Sequence, residues 1–184
     1  MIDSSRWKLA DDAHRMAIAA FIDAARAVPD DRWNASRADG KWSPAQIAEH
    51  LRLSYATLRR ELEGEVGFRV RVGPAKRLLL RLTVLRRMLR QRVFPQGAPA
   101  TREIRPGGGP FEREATLAGL AGEAGAFGER LTARRDERGT HVTHPFFGAL
   151  DPLQGLELCA LHVDHHRAQL LVAPAPREPT AAKA

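Results

Sequence analysis

The sequence predicts an all-α protein, an up-down four-helix bundle with a long inter-helix connection. Aliphatic residues recur at helical spacing in several long segments, aromatic residues make up only 6% of the chain, and turn signals are too sparse for a β-sandwich or barrel. The 184 residues suffice for one domain with its own core. We expect the bundle in residues 1–172 and a disordered Pro/Ala-rich tail in residues 173–184, which offers nothing to bury.

Composition also indicates the compartment and the partners. The N-terminal residues lack a signal-peptide pattern and no apolar run approaches a membrane span, so we expect a cytoplasmic protein. The single cysteine, Cys159, excludes an internal disulfide framework and fits a reducing compartment. The net charge is +7, but the basic residues are almost all arginine and accompany abundant Ala and Gly. We attribute the charge to compositional bias and expect neither a membrane nor a nucleic acid as partner.

The first helix is expected over about residues 7–28, with Ser4 or Ser5 as the N-terminal cap and Pro29 beyond its end. Its apolar stripe predicts a core-facing side. That side comprises Leu9, Ala13, Met16, Ala20, Phe21, Ala24 and Val28.

The second helix begins at a well-defined signal. Ser43 is a good N-cap, Pro44 suits the first helical position, and Gln46 can close a capping box. His50 lies beside an apolar line about two turns into this helix, and therefore points inward. The line comprises Ile47, Leu51, Ser54, Leu58 and Leu62.

The segment 76–92 is rich in arginine and is expected to lie within a helix over residues 75–93. Its inward face should hold Leu78, Leu82, Leu85, Leu89 and Val93. The arginines leave two interpretations open, a surface for anionic partners or a solvated face on a packed helix. We favour the solvated face, because the charges do not segregate to one side and no aromatic residues interleave for base stacking.

Residues 94–110 contain repeated Pro and Gly and predict a long excursion without regular structure, of the kind that often forms a functional lid. A further helix is expected over residues 111–134. Its glycines at 119, 122, 125 and 128 predict local softness or close packing against a neighbour. Residues 141–150 then lead into the last helix.

The last helix carries His162 and His166, which four-residue spacing places on one face together with several apolar residues. Asp151 is its expected N-cap, Pro152 its first residue, and Gln154 the partner that completes a capping box. His50 from one helix and the pair from another can form a three-nitrogen set that leaves positions open for water or substrate. The alternative is that all three are hydrogen-bonded core histidines without a ligand.

Three motifs in order identify a family resemblance. They are G-K-W-S-P-A-Q-I-A-E-H-L at residues 40–51, H-P-F-F-G-A-L at 144–150 and H-V-D-H-H-R-A-Q-L at 162–170, and the loop P-Q-G-A-P-A at 95–100 adds to them. With these pieces the chain resembles the DinB-like, or YfiT-like, superfamily of four-helix-bundle metalloproteins, in an uncharacterised branch. The resemblance covers nearly the whole chain to about Leu171.

The resemblance implies a divalent metal, nickel or zinc, held by His50, His162 and His166, and a homodimer is common among such proteins. It also implies a small-molecule substrate and an enzyme that is either a thiol-dependent S-transferase, with a low-molecular-weight thiol such as bacillithiol or mycothiol, or hydrolase-like. No residue set in this sequence identifies the thiol or its electrophile, and the sequence does not assign catalytic residues. The alternative function is a non-enzymatic interaction bundle that uses segment 76–92 for anionic partners. Glu49, Gln169, His144 and His165 are candidates for supporting roles.

Overall fold

The computed structural model describes residues 2–95, 97 and 100–171, and most of these lie in helices. The predicted all-α bundle with a long inter-helix connection is confirmed. The predicted tail, residues 173–184, lies outside the described residues, as does residue 172. In chain order the helices are α1 (Ser4–Arg26), α2 (Asp30–Trp33), α3 (Pro44–Leu62), α4 (Pro74–Leu80), α5 (Arg86–Gln91), α6 (Arg113–Arg134) and α7 (Pro152–Leu170).

The long connection joins two long helices that run in the same direction. Arg59 of α3 pairs with Glu123 of α6 at 2.7 Å, and Glu63 just after α3 pairs with Arg130 of α6 at 3.3 Å. Residue numbers therefore rise together along α3 and α6, so these two helices are parallel. The connection over residues 63–112 must consequently cross the whole length of the bundle.

The first and last helices run the opposite way. The C-terminal end of α1 meets the N-terminal end of α6 through Arg26 and Glu114, 3.0 Å apart. At the other end of the bundle, the N–H of Ile2 donates to Asp136 just beyond α6, at 2.9 Å. Helix α7 packs mainly against α1, and its C-terminal half faces the N-terminal half of α3. The order of directions is thus up, down, down, up.

The predicted core face of α1 was wrong at Leu9 and Met16, which are 70% and 71% exposed, whereas Phe21 and Val28 are buried as expected. The helix begins at Ser4, capped by Asp3, and its buried face is rotated from the predicted stripe and includes His14. The buried residues are Trp7, Ala10, His14, Ala17, Ile18, Phe21 and Ala25.

The helix starts were predicted with more success. Ser43 and Gln46 form the expected capping box of α3, and Asp151 caps α7 by accepting from the N–H of Gln154 at 2.9 Å. The reciprocal half of the second box is missing, since the side-chain oxygen of Gln154 has no hydrogen-bond partner within the described part of the chain. The predicted inward line of α3 is buried throughout.

The helix of the arginine-rich segment departs from prediction. Helices α4 and α5 join through a π-helical turn at Arg81–Leu85 into one helix over residues 74–91, hereafter the arginine-rich helix. The π turn shifts the helical register, and Leu85 and Met88 are buried whereas Leu78 and Leu82 are about 60% exposed. Val93 is exposed to the same extent and lies beyond the end of the helix. The predicted inward face is therefore wrong at three of its five positions.

A β-hairpin precedes the last helix, where the sequence predicted only a lead-in. Strands β1 (Val142–His144) and β2 (Gly148–Leu150) are antiparallel, with Val142 opposite Leu150. A small apolar cluster joins this hairpin to the arginine-rich helix and α7, apart from the main core. Its buried members are Leu85, Met88, Phe147, Leu150 and Leu158. Among the described residues no helix has the length and apolar character needed to span a membrane.

Candidate metal centre

Three histidines meet between α3 and α7, near the end of the bundle where α3 begins. The Nε2 atom of His162 lies 3.3 Å from Nε2 of His50 and 3.0 Å from Nε2 of His166. One ligand nitrogen from each of the three histidines lies within 4.8 Å of the others. His50 and His166 are buried, and His162 is half-buried. The structure thus brings together the three residues that the sequence proposed.

Hydrogen bonds fix the tautomers of two of these rings. Nδ1 of His50 lies 2.8 Å from the backbone carbonyl of Ile104, so Nδ1 carries the proton and donates it. Nδ1 of His166 donates in the same way to Oε1 of Gln169, at 3.0 Å. In the neutral rings each Nε2 therefore presents its lone pair to the centre of the cluster.

Burial keeps the rings neutral at physiological pH. It lowers the pKa of His50 to about 4 and that of His166 to about 3. The pKa of His162 lies well below its usual value, because the ring is desolvated and faces two other imidazoles. Neutral imidazole is the form that binds a metal ion.

The donor set fits a divalent transition metal. Metal–nitrogen bonds of about 2.1 Å place two ligand nitrogens about 3.0 Å apart at a right angle and about 3.4 Å apart at a tetrahedral angle. The separations of 3.3 Å and 3.0 Å in the structure lie within this range. Converging lone pairs repel one another unless a cation lies between them or the neutral His162 ring carries its proton on Nε2 and donates it to a neighbouring ring, and burial disfavours a charged imidazolium here. Three imidazoles leave the remaining coordination positions to other groups.

A cavity of about 880 Å³ adjoins the three histidines. Its walls are largely apolar, and the long connection supplies part of them. Phe94 stacks on the His162 ring with centroids 5.1 Å apart, and Trp42 lies 4.8 Å from the His50 ring. The volume is in the range of small-molecule binding sites.

The charged residues of the cavity wall are all basic. They are Arg37, Lys41 and Lys76, and among the described residues no Asp or Glu lines the cavity. Arg37 also donates from Nη1 to the backbone carbonyl of Gln169 at 2.7 Å, which holds its guanidinium beside the end of α7.

Two further imidazoles line the cavity, and both have an occupied acceptor nitrogen. Nε2 of His165 accepts from the side-chain amide of Gln169 at 3.0 Å, and Nδ1 of His144 accepts from the backbone N–H of Phe146 at 3.2 Å. Burial lowers the pKa of His144 to about 4 and also lowers that of His165. Each neutral ring then offers only an N–H on its other nitrogen.

The structure supports a role at the site for only some of the other residues that the sequence singled out. Gln169 orients a histidine of the cluster, as the sequence suggested, whereas Glu49 pairs with Arg52 at 2.7 Å instead of supporting the site. Cys159 lines the cavity, and burial raises the pKa of its thiol to about 12. The thiol of Cys159 therefore stays protonated and acts as a small apolar group.

Sequence reasoning missed the groups that the long connection contributes. Phe94 and the carbonyl of Ile104 belong to a segment whose Pro and Gly content predicts only irregular structure, and no periodicity places them over the histidines. His14 was also missed. It lies in the main core, where its Nε2 and the hydroxyl of Tyr55 are 2.9 Å apart, and it does not contact the cluster.

Comparison with protein-family models supports the resemblance drawn from the three motifs. The model described as the DinB superfamily matches residues 13–170, which is well over half of the chain. Comparison with curated proteins and with solved structures gives no match. The matched region contains α3, α6 and α7 entirely and most of α1, together with all three histidines of the cluster. The chain belongs to the DinB superfamily.

Proposed function

We propose that the protein binds one divalent metal ion, nickel or zinc, through Nε2 of His50, His162 and His166. The observation that carries the proposal is the convergence of these three nitrogens, two of them with a tautomer fixed by a hydrogen bond from the opposite side of the ring. Imidazole nitrogen suits both metals. The adjoining cavity offers room for a small-molecule substrate beside the site.

We further propose that the protein is an enzyme that transfers a thiol to an electrophilic substrate. A divalent cation held by three imidazoles lowers the pKa of a thiol or a water molecule that reaches its open positions. The thiol comes from a small molecule in this proposal, because Cys159 is the only cysteine and its pKa of about 12 keeps it unreactive.

The groups of the cavity wall favour a thiol over water as the nucleophile. Hydrolysis usually also needs a side chain that moves a proton to the leaving group once metal-bound water has attacked, and the described lining residues include no carboxylate for that role. His144 and His165 already accept hydrogen bonds at their unprotonated nitrogens, so neither offers a free basic site. A thiol has a pKa of about 8.5 in water and can ionise near neutral pH without a base.

The test compares two reactions of the zinc- or nickel-loaded protein. In the first, a panel of low-molecular-weight thiols reacts with chlorodinitrobenzene, where a carbon–sulfur bond forms, chloride leaves, and the thiol proton passes to buffer. In the second, a chromogenic ester is hydrolysed without any thiol. We expect acceleration of thiol transfer with at least one thiol and none of ester hydrolysis.

Matched variants separate the site from the rest of the protein. His50→Ala should abolish the acceleration, whereas His141→Ala should retain it, because His141 is exposed and lies outside the cluster. Acceleration of ester hydrolysis without thiol would refute the thiol part of the proposal. Acceleration that persists in metal-free protein or in the His50→Ala variant would refute the role of the metal centre.

A further inference from the structure

The outer face of the arginine-rich helix exposes leucines to solvent. Leu78, Leu79 and Leu82 are 59%, 60% and 61% exposed, and they adjoin one another at helical spacing. The helix packs on the protein through its opposite side, chiefly Leu85 and Met88. A contiguous exposed apolar patch on a globular protein commonly marks an interaction surface.

The segment that contains this helix is strongly basic. Residues 66–102 contain ten Lys and Arg residues and no Asp or Glu, so the rest of the chain is net acidic. Within the described part of the chain, none of the ion pairs includes a residue of the arginine-rich helix. These positive charges are consequently not neutralised by neighbouring carboxylates.

Leucines and arginines follow one another along this face. Leu78, Leu79 and Leu82 occupy its first half, and exposed Arg86, Arg87 and Arg90 occupy its second half. The three arginines line a surface groove together with Leu82, Thr83 and Gln91. Guanidinium groups arranged in this way suit phosphate oxygens, to which arginine can donate two hydrogen bonds at once.

We propose that this face docks on a membrane surface that contains anionic lipids. The leucines enter the boundary between headgroups and acyl chains, and the arginines bind lipid phosphates, as on an amphipathic helix that lies in the interface. The sequence alone favoured a solvated face because the arginines do not segregate to one side and no aromatic residues interleave with them. It also placed Leu78 and Leu82 on the inward face, whereas both leucines are exposed in the structure beside the arginines.

Other occupants fit the face less well. Nucleic acid binding uses aromatic side chains for stacking or polar groups for base edges, and the first half of this face is three leucines. A second copy of the chain pairing through the same face would bring its uncompensated arginines together, which repel one another. An anionic bilayer is complementary to both the leucines and the charges.

The docking surface is also connected to the cavity. Leu80, Val84 and Met88, on the inner side of the arginine-rich helix, line the cavity beside the three histidines. Docking would therefore place the cavity one helix away from the bilayer. The inference itself rests on the outer surface alone and does not depend on metal binding or on catalysis.

Vesicle flotation tests the proposal with full-length protein. Wild type is mixed with vesicles of phosphatidylcholine alone or of phosphatidylcholine and phosphatidylglycerol in equal parts, and with a DNA duplex in a separate binding assay. We expect binding to the mixed vesicles that weakens as salt rises, and little binding to phosphatidylcholine alone. Absence of binding to the mixed vesicles, or equal binding to both kinds, would overturn the proposal.

Charge variants locate the surface. The triple variant Arg86→Gln, Arg87→Gln and Arg90→Gln should bind the mixed vesicles about a hundredfold more weakly, since each basic residue at an anionic surface strengthens binding about fivefold. The control variant makes the same change of net charge on other elements, at Arg60, Arg130 and Arg138. An equal loss in the control would show that only net charge matters and would refute a defined surface.

Leucine variants distinguish the bilayer from nucleic acid. Replacing Leu78, Leu79 and Leu82 by serine should abolish vesicle binding, whereas serine at exposed Leu9, Met16 and Val66 should not. Circular dichroism and thermal unfolding confirm that each variant is folded. Tighter binding to the DNA duplex than to the mixed vesicles, unaffected by the serines at 78, 79 and 82, would instead identify a nucleic-acid surface and refute the proposal.

Discussion

Gln169 should control metal affinity although its side chain lies outside the histidine cluster. Its Oε1 accepts the Nδ1 proton of His166 at 3.0 Å, and its amide donates to His165 at 3.0 Å. Replacement by leucine keeps a side chain of similar size and removes both hydrogen bonds. His166 would then lose the contact that fixes its tautomer and aims its Nε2 at the centre of the cluster.

The expected loss follows from the hydrogen bonds. A partly buried neutral hydrogen bond contributes about 1 kcal/mol, and each factor of ten in affinity corresponds to about 1.4 kcal/mol. One such bond accounts for a loss of about fivefold. Rotational freedom of the His166 ring adds to this, and loss of groups that hydrogen-bond to metal ligands typically weakens metal binding by about 10- to 100-fold. We therefore expect zinc to bind Gln169→Leu at least about tenfold more weakly than wild type.

Competition between apo-protein and a chromogenic zinc chelator measures this difference. Gln169→Glu keeps an acceptor for the His166 proton, so it should bind zinc at least as tightly as wild type. Asp164→Asn is a matched control on the same helix, because Asp164 pairs with Arg167 instead of contacting the cluster. Wild-type affinity in Gln169→Leu, or a loss of the same size in Asp164→Asn, would refute the reasoning.

Two further predictions concern stability. Burial lowers the pKa of His14 to about 4, whereas the pKa of this histidine in the unfolded chain is about 6.5, so between these values the unfolded chain binds more protons than the folded protein. The stabilisation from the neutral His14 ring is complete above about pH 6.5 and is lost as the pH falls towards 4. The free energy of unfolding should therefore decrease by about 2 kcal/mol between pH 7 and pH 5. His14→Gln should therefore flatten the pH dependence of urea unfolding, and an unchanged slope would contradict the assignment. Gly122 and Gly125 face open space on α6, so alanine at each should stabilise by up to about 1 kcal/mol. Gly155→Ala should instead destabilise the protein, because the added Cβ would lie 2.6 Å from Val142 in the hairpin. Thermal unfolding should therefore place Gly155→Ala below the two α6 variants in stability, and any other order would contradict the packing.

The parts of the structure that the sequence predicted best are governed by local rules. The starts of α3 and α7 depend on cap residues adjacent in sequence, and both Ser43 and Asp151 cap their helices as expected. The inward position of His50 followed from a largely apolar line on the same helix, interrupted by Ser54. The pairing of His162 with His166 is a consequence of helical spacing alone.

The errors arose where a pattern was altered by a distant contact. On α1 the buried face is rotated from the predicted stripe and includes His14, whose partner Tyr55 is distant in sequence. In the arginine-rich helix a π turn changed the register midway, so Leu78 and Leu82 turned outward. Neither a tertiary hydrogen bond nor a π turn leaves a periodic signal.

The candidate site was predictable in its histidines and in Gln169, which orients His166. The convergence of the histidines depends on α3 and α7 running in opposite directions, and the resemblance to a known bundle was needed to anticipate it. The other supporting groups came from elsewhere in the chain. Ile104 offers a backbone carbonyl, which any residue could provide, and Phe94 lies in irregular structure, so neither residue type carries a recognisable signal.

Metal content tests the central claim most directly. Protein purified without a histidine tag is analysed by mass spectrometry as wild type and as the variants His50→Ala, His162→Ala and His141→Ala. The account predicts about one nickel or zinc ion per chain in wild type and His141→Ala, and loss of that ion in the other two. Absence of bound metal in wild type, with no uptake when zinc or nickel is added, would contradict it.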